Sequence, residues 1–202
     1  MTMEDLIIMN KKVSLASLIL ACGIIATGCG DDKTENTNEP VDNNVEQTES
    51  ESTENSEISV ASILDKIKAA YGEDYLPNVP LDEEMVKETF KLDLGLVEEY
   101  VAEMPMIGVH PDKVLIVKAK DGKVEDVVAQ LEAARTDMIE NGLNYPMNLE
   151  KVQSAKVVSK GNYAAFLLVG SANNMSDDEE ERLKFAEDEV QKAVTAFNSM
   201  FN

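Results

Sequence analysis

The sequence predicts an α+β domain: an antiparallel four-stranded sheet of two hairpins, packed with amphipathic helices in the order α-α-β-β-α-β-β-α. Three observations lead there. Apolar residues recur at helical spacing in several segments, and two pairs of apolar runs are joined by turn-forming residues. A hydrophobic fraction of 44% is enough for a core despite a net charge of −21. Hairpins make the sheet antiparallel, and one layer of sheet covered by two amphipathic helices is the expected architecture.

Val60, Ile63, Leu64, Ile67, Ala70 and Tyr71 form one helical stripe after Ser59, a candidate N-cap, and Gly72 ends it. The connector Tyr75-Leu-Pro-Asn-Val-Pro80 is extended, because a residue before proline is pushed out of the helical region. Asp82 caps a short second helix with Met85, Val86 and Phe90 inward, and Leu81 staples onto Val86. Over residues 94–104, Tyr100, Ala102 and Met104 alternate as in a strand, although Glu98 and Glu99 interrupt one face. A turn at Val109-His-Pro-Asp112 leads into the β-branched run 113–120, with Leu115, Val117 and Ala119 on one face and Ile116, Lys118 and Lys120 on the other. Asp121-Gly122 turns into a long helix in which Val124, Val127, Val128, Leu131, Ala134, Met138 and Ile139 hold helical offsets until Asn141-Gly142. After Tyr145-Pro146, residues 155–159 and 163–170 form the second hairpin about a Lys-Gly-Asn turn. The last helix follows Ser176, whose Asp-Asp-Glu completes a capping box, with Leu183, Ala186, Val190, Ala193, Val194, Phe197 and Phe201 inward.

Ahead of this domain the chain reads as a targeting device. Lys11 and Lys12 precede a fifteen-residue apolar run ending at Gly28-Cys29. At 1.5 Å per residue the run spans about 22 Å, short of the roughly 30 Å hydrocarbon layer, so a cleaved signal is favoured over a permanent span. Glu4 and Asp5 are out of place in a positive n-region, which makes Met9 a candidate initiator beside Met1. Residues 30–57 hold ten acids, one lysine and two valines as their only hydrophobes, too little apolar surface to offset the cost of ordering them. The expected organisation is a signal at 1–28, an anchored cysteine and acidic tether at 29–57, and one domain at 58–202.

The segment Ile25-Ala-Thr-Gly-Cys29 resembles the lipobox of bacterial prolipoproteins, with Ala26 where that motif prefers Leu, Val or Ile. The resemblance implies cleavage before Cys29 and a diacylglyceryl group on its sulfur, with Cys22 as the rival position. Two acyl chains supply the two signals that stable anchoring needs. The implied location is the extracytoplasmic face of a cell membrane.

Residues 94–101, 111–124, 155–163 and 192–197 together resemble the lipoprotein domain of unknown function numbered four-three-five-eight, a family typical of clostridial-type Gram-positive bacteria. The Lys-Gly-Asn-Tyr turn is the most specific part of the likeness. It implies a surface location and no activity, so no catalytic residue is carried over.

Few residues invite chemistry. A net charge of −21 without clustered lysine and arginine argues against nucleic acid as a partner. His110 is the single histidine, in a polar turn, and no nucleophile stands at a recognisable spacing from it. Asp177-Asp-Glu-Glu-Glu181 suits hard cations, but the EF-hand pattern is absent and acids in a first helical turn answer the helix dipole. Gly95, Gly108, Gly122 and Gly161 are isolated turn residues, so no phosphate-cradling loop is formed. No catalytic residue, metal or cofactor is therefore expected. Lys118, Lys120, Asn162 and Tyr163 are the candidate surface for binding, beside the plain reading of Lys160–Tyr163 as a hairpin turn. Two functions follow: a membrane-anchored module that binds a small ligand or an envelope protein, or an envelope hydrolase using carboxylates such as Glu98 and Glu99. Strand alternation would place those two on opposite faces, which counts against the hydrolase.

Overall fold

Ten elements are built by residues 58–202, the part that this computed structural model describes. They are α1 (Val60–Tyr71), β1 (Val79–Pro80), α2 (Glu83–Phe90), β2 (Val97–Met104), β3 (Lys113–Ala119), α3 (Val124–Glu140), α4 (Leu149–Gln153), β4 (Lys156–Lys160), β5 (Tyr163–Leu168) and α5 (Glu179–Ser199). The α+β class is as expected, with an all-antiparallel sheet in the order β1-β2-β3-β5-β4. The sheet has five strands rather than four. Val79 and Pro80 pair with Met104 and Glu103, and Pro80, which has no N–H to donate, sits on an edge strand where none is required.

Three further expectations change. Residues 94–96 form a 3₁₀ turn, and the strand begins only at Val97. Helix α4 arises in the stretch read as a connection, where five residues are too few for a periodic signal. The cap of α5 is Asp178, whose carboxylate accepts from the N–H groups of Glu180 and Glu181 at 2.8 and 3.2 Å, while Ser176 bonds the Glu181 carboxylate instead. Ser59 and Asp82 cap α1 and α2 as the sequence suggests.

Helices cover both faces of the sheet. Leu115, Val117 and Ala119 of β3, with Ala164, Phe166 and Leu168 of β5, pack against Val86 and Phe90 of α2 and Val127 and Leu131 of α3. On the other face Val114, Ile116, Ala165 and Leu167 meet Ile63 and Ile67 of α1 and Val190, Ala193 and Phe197 of α5. Every residue of β5 is buried, and a continuous apolar run is what a strand covered on both sides requires. Phe90 meets the Phe166 ring edge-on, centroids 5.2 Å apart. Among the described residues no helix is long and apolar enough to cross a membrane.

Phe197 is fully buried, so Phe197→Ala is expected to cost about 3–5 kcal/mol in chemical denaturation. Ending the chain after Ser176 removes α5 and leaves that face of the sheet with α1 as its one helix. That truncation is expected to abolish cooperative melting, and an unchanged transition would contradict the two-sided architecture.

Candidate functional site

The domain has two unlike ends. At one, Lys113 of β3 is in register with Leu168 of β5, so the β2–β3 loop (105–112) and the chain after β5 (169–178) leave the sheet together. The Lys151 ammonium of α4 bonds the Asp112 carboxylate and the Gly170 carbonyl, which brings residues 141–149 to the same place. Arg182, in the first turn of α5, binds Glu150 of α4 at 2.5 Å, and the Asn78 N–H donates to the Met104 carbonyl at 3.1 Å. At the opposite end the Tyr163 hydroxyl donates to the carbonyl of Ile58, where the chain joins the domain.

Beneath the loop-bearing end lies a knot of buried polar groups. Asp112 and Lys151 are both buried, and a buried pair holds only while both partners are present. Burial pushes the Asp112 carboxyl above its ordinary range, opposed by Lys151 and then by His110. The Asp112 N–H donates to His110 Nδ1 at 3.4 Å, and that nitrogen lies 3.5 Å from the Asp112 carboxylate. Burial, aided by Lys151 and Lys113 and opposed by Asp112, lowers the pKa of the imidazole. Around them, Lys68 binds Glu103 at 2.7 Å and the Tyr75 hydroxyl donates to the same carboxylate at 3.1 Å. The Tyr71 hydroxyl donates to the Glu189 carbonyl at 2.8 Å and accepts from the Ala193 N–H. Burial raises the pKa of both tyrosines.

Gly170 is obligatory in this knot. Its φ is +114°, and a Cβ there would meet Glu189 Cβ at 2.9 Å and Tyr71 Cε1 at 3.3 Å. The absence of a side chain lets the end of β5 pass between α1 and α5 and turn its carbonyl toward Lys151.

The surface over the knot is apolar. Met106, Ile107 and Val109 of the β2–β3 loop are exposed, as are Leu143, Tyr145, Met147 and Leu149 before and at the start of α4. Leu76, Met175 and Phe185 complete the exposed large hydrophobics of the described residues, and the connections above place all of them at this end. Four of the basic groups nearby are taken up by the fold: Lys68 on Glu103, Lys151 on Asp112, Arg182 on Glu150, and Lys113 on the Pro111 carbonyl at 3.2 Å, whereas Lys184 of α5 is exposed and pairs with Asp188 at 2.6 Å. Acids remain outside, with Glu73, Asp74, Glu140, Asp177, Glu179 and Glu180 all exposed.

The residues singled out from the sequence lie elsewhere and are engaged within the fold. Lys118 binds Glu98 at 2.8 Å, Lys120 donates to the Gly95 carbonyl at 2.7 Å, and Asn162 donates to Asp121 at 3.1 Å. Tyr163 is buried, with its ring 5.3 Å from that of Phe201. Gly161 has φ +57°, whereas Asn162 is not in the left-handed region, which matches a hairpin turn with glycine first. Glu98 and Glu99 are not separated by alternation, because a bulge at Val97–Glu99 sets Glu99 beside Lys118 while Glu98 also reaches that lysine. Both are exposed. Of the acids at 177–181, Asp178 caps α5 and Glu181 bonds Ser176. Among the described residues no group of three or more histidine, cysteine or acidic side chains could hold a metal. Cys29 and the acidic segment lie outside the described residues. A groove of about 620 Å³ between α1 and α5 is lined by Ala69, Ala70, Thr195 and Ala196 with mixed charges at Lys66, Asp188 and Lys192.

The apolar end was missed in the sequence because it is dispersed over four connections and the helices α4 and α5. The signal was present: methionine, leucine and isoleucine in segments bounded by proline, glycine and asparagine have no periodic partner to bury them.

Removing one member of the buried pair is expected to be severe. Lys151→Met alone should lower stability by about 3–5 kcal/mol, and Asp112→Asn with Lys151→Met by clearly less. Denaturation of the three chains checks this. His110 contributes stability that is complete above its ordinary pKa near 6.5 and is lost as the pH falls toward its lowered folded value. Asp112, with its pKa raised, has the opposite sign. Melting temperatures from pH 7 to 5 should therefore fall less in His110→Gln than in the parent.

No curated protein and no solved structure significantly matches the chain. A family model matches residues 70–169, from the end of α1 through β5 and the residue after it, and so spans the knot apart from Lys68, Gly170 and α5. By that match residues 70–169 are similar to the family described as Domain of unknown function (DUF4358).

Proposed function

We propose that this chain is a lipid-anchored lipoprotein on the extracytoplasmic face of the cell membrane, and that it binds another envelope component without turning it over. The observation that carries the reading is the placement of every exposed large hydrophobic side chain of the described residues at one end. The chain joins the domain at the other end, beside Tyr163. A membrane anchor at Cys29 would thus attach the domain opposite its apolar surface and leave that surface free to dock. Contiguous exposed apolar area of this kind marks interaction sites on soluble domains. The carboxylates suit a hydrolase poorly: Glu98 and Glu99 lie open on a strand, Glu103 is bound by Lys68 and Tyr75, and Asp112 is sealed under Lys151.

Two measurements test the two halves. Cys29→Ser is expected to abolish acyl labelling and leave unprocessed precursor; labelling that persists until Cys22 is changed would refute the anchor position. For binding, the full chain carrying Met106→Ser, Leu143→Ser and Met147→Ser is expected to melt as the parent does, since all three side chains are exposed. Its detergent-solubilised form should migrate on native gels at the size of the isolated chain, while the parent migrates in a larger assembly. Equal migration of the two would contradict the docking role.

A further inference from the structure

We infer that the partner docking on the apolar end is a protein whose contact face is an apolar pocket bordered by lysine and arginine. The inference rests on the docking role proposed above and adds the partner's chemistry. Apolar area alone would suit a lipid surface, a second copy or another protein equally, so the charges decide.

Most cations at this end are held by the fold's own acids: Lys184, beside Phe185, is exposed but pairs with Asp188 of the same helix, and Lys156 and Lys192 pair with Glu187 and Glu189. Lys151 is closed over Asp112, Lys68 and Arg182 are held by Glu103 and Glu150, and Lys113 is half-buried against the Pro111 carbonyl. Negative charge is what borders the exposed leucine and methionine side chains. Glu73 and Asp74 lie beside Leu76, Glu140 precedes Leu143, and Asp177, Glu179 and Glu180 follow Met175. A groove of about 490 Å³ between α4 and the start of α5 brings both characters together, with Leu149 and Leu183 facing Asp178, Glu179 and Glu180.

An anionic bilayer would be repelled by this border, because surface-active segments use lysine and arginine to reach lipid headgroups. A second copy joined symmetrically would set one acid-bordered patch against another. A basic-rimmed protein pocket satisfies both characters at once: it buries the apolar loops and neutralises the acids. Complementary charge also fixes the register of docking and speeds encounter between two membrane-held partners.

The test is site-specific photocrosslinking of the full chain in the cells that naturally make it, with a photoreactive residue at position 143 or 147. The expected result is a protein adduct whose crosslinked peptide carries lysine or arginine among apolar residues. Raising salt from about 50 to about 500 mM in isolated envelopes should cut the adduct yield about threefold or more. The variant Glu140→Gln, Asp177→Asn, Glu179→Gln and Glu180→Gln should lose yield to a similar degree, with melting checked in parallel. Adducts with phospholipid or with a second copy would overturn the inference, and so would a protein adduct indifferent to salt and to the four substitutions. In each of those cases the docking role would stand. No adduct from either position would overturn the docking role itself.

Discussion

Two central strands that are apolar on both faces impose the rest of the architecture. β5 is buried at every residue, and β3 buries Val114, Leu115, Ile116 and Val117 in succession. Such strands cannot lie at the surface of a two-layer fold, so each face of the sheet needs its own helical cover. α1 and α5 supply one, α2 and α3 the other, and the shorter strands β1 and β4 take the edges. The core is thereby divided into two apolar clusters that share the sheet as a common wall.

The same constraint creates a difficulty where the central strands end. There Asp112 leads into β3 and Gly170 follows β5, both deep between the helical layers, and their polar groups have no water to meet. Lys151 of α4 answers both, and Tyr71, Glu103 and Glu189 tie α1, β2 and α5 into the same knot. Committing Lys151, Lys113, Lys68 and Arg182 to groups of the fold leaves the loops above with apolar tips and acidic flanks. Surface character at this end is thus a consequence of how the end is held together, and the binding role proposed for it grows from the fold rather than being added to it.

Much of the fold was legible in the sequence because its signals are local. The stripe from Val60 to Tyr71, the caps at Ser59 and Asp82 and the second hairpin depend on neighbours within one or two turns. What escaped depends on distance along the chain. The pairing of Val79 with Met104 joins segments 25 residues apart, and Lys151 is 39 residues from Asp112. Covering of both faces was written in Tyr163–Leu168 as an unbroken apolar run, yet the number of helices over it is a tertiary property. The lysines at 118 and 120 looked available for ligands, but Glu98 and the Gly95 carbonyl take them through β2 and the turn before it.

Hydrogen exchange followed by mass spectrometry, comparing the full chain in its native membranes with the purified chain in detergent, tests the central claim most directly. Protection gained in the membranes is expected in segments 105–110, 141–149 and 171–177, with β3 and β5 equally slow in both states. Protection gained instead around residues 160–163 or along the groove between α1 and α5, or no difference at all, would contradict the assignment of the apolar end as the surface by which this protein binds.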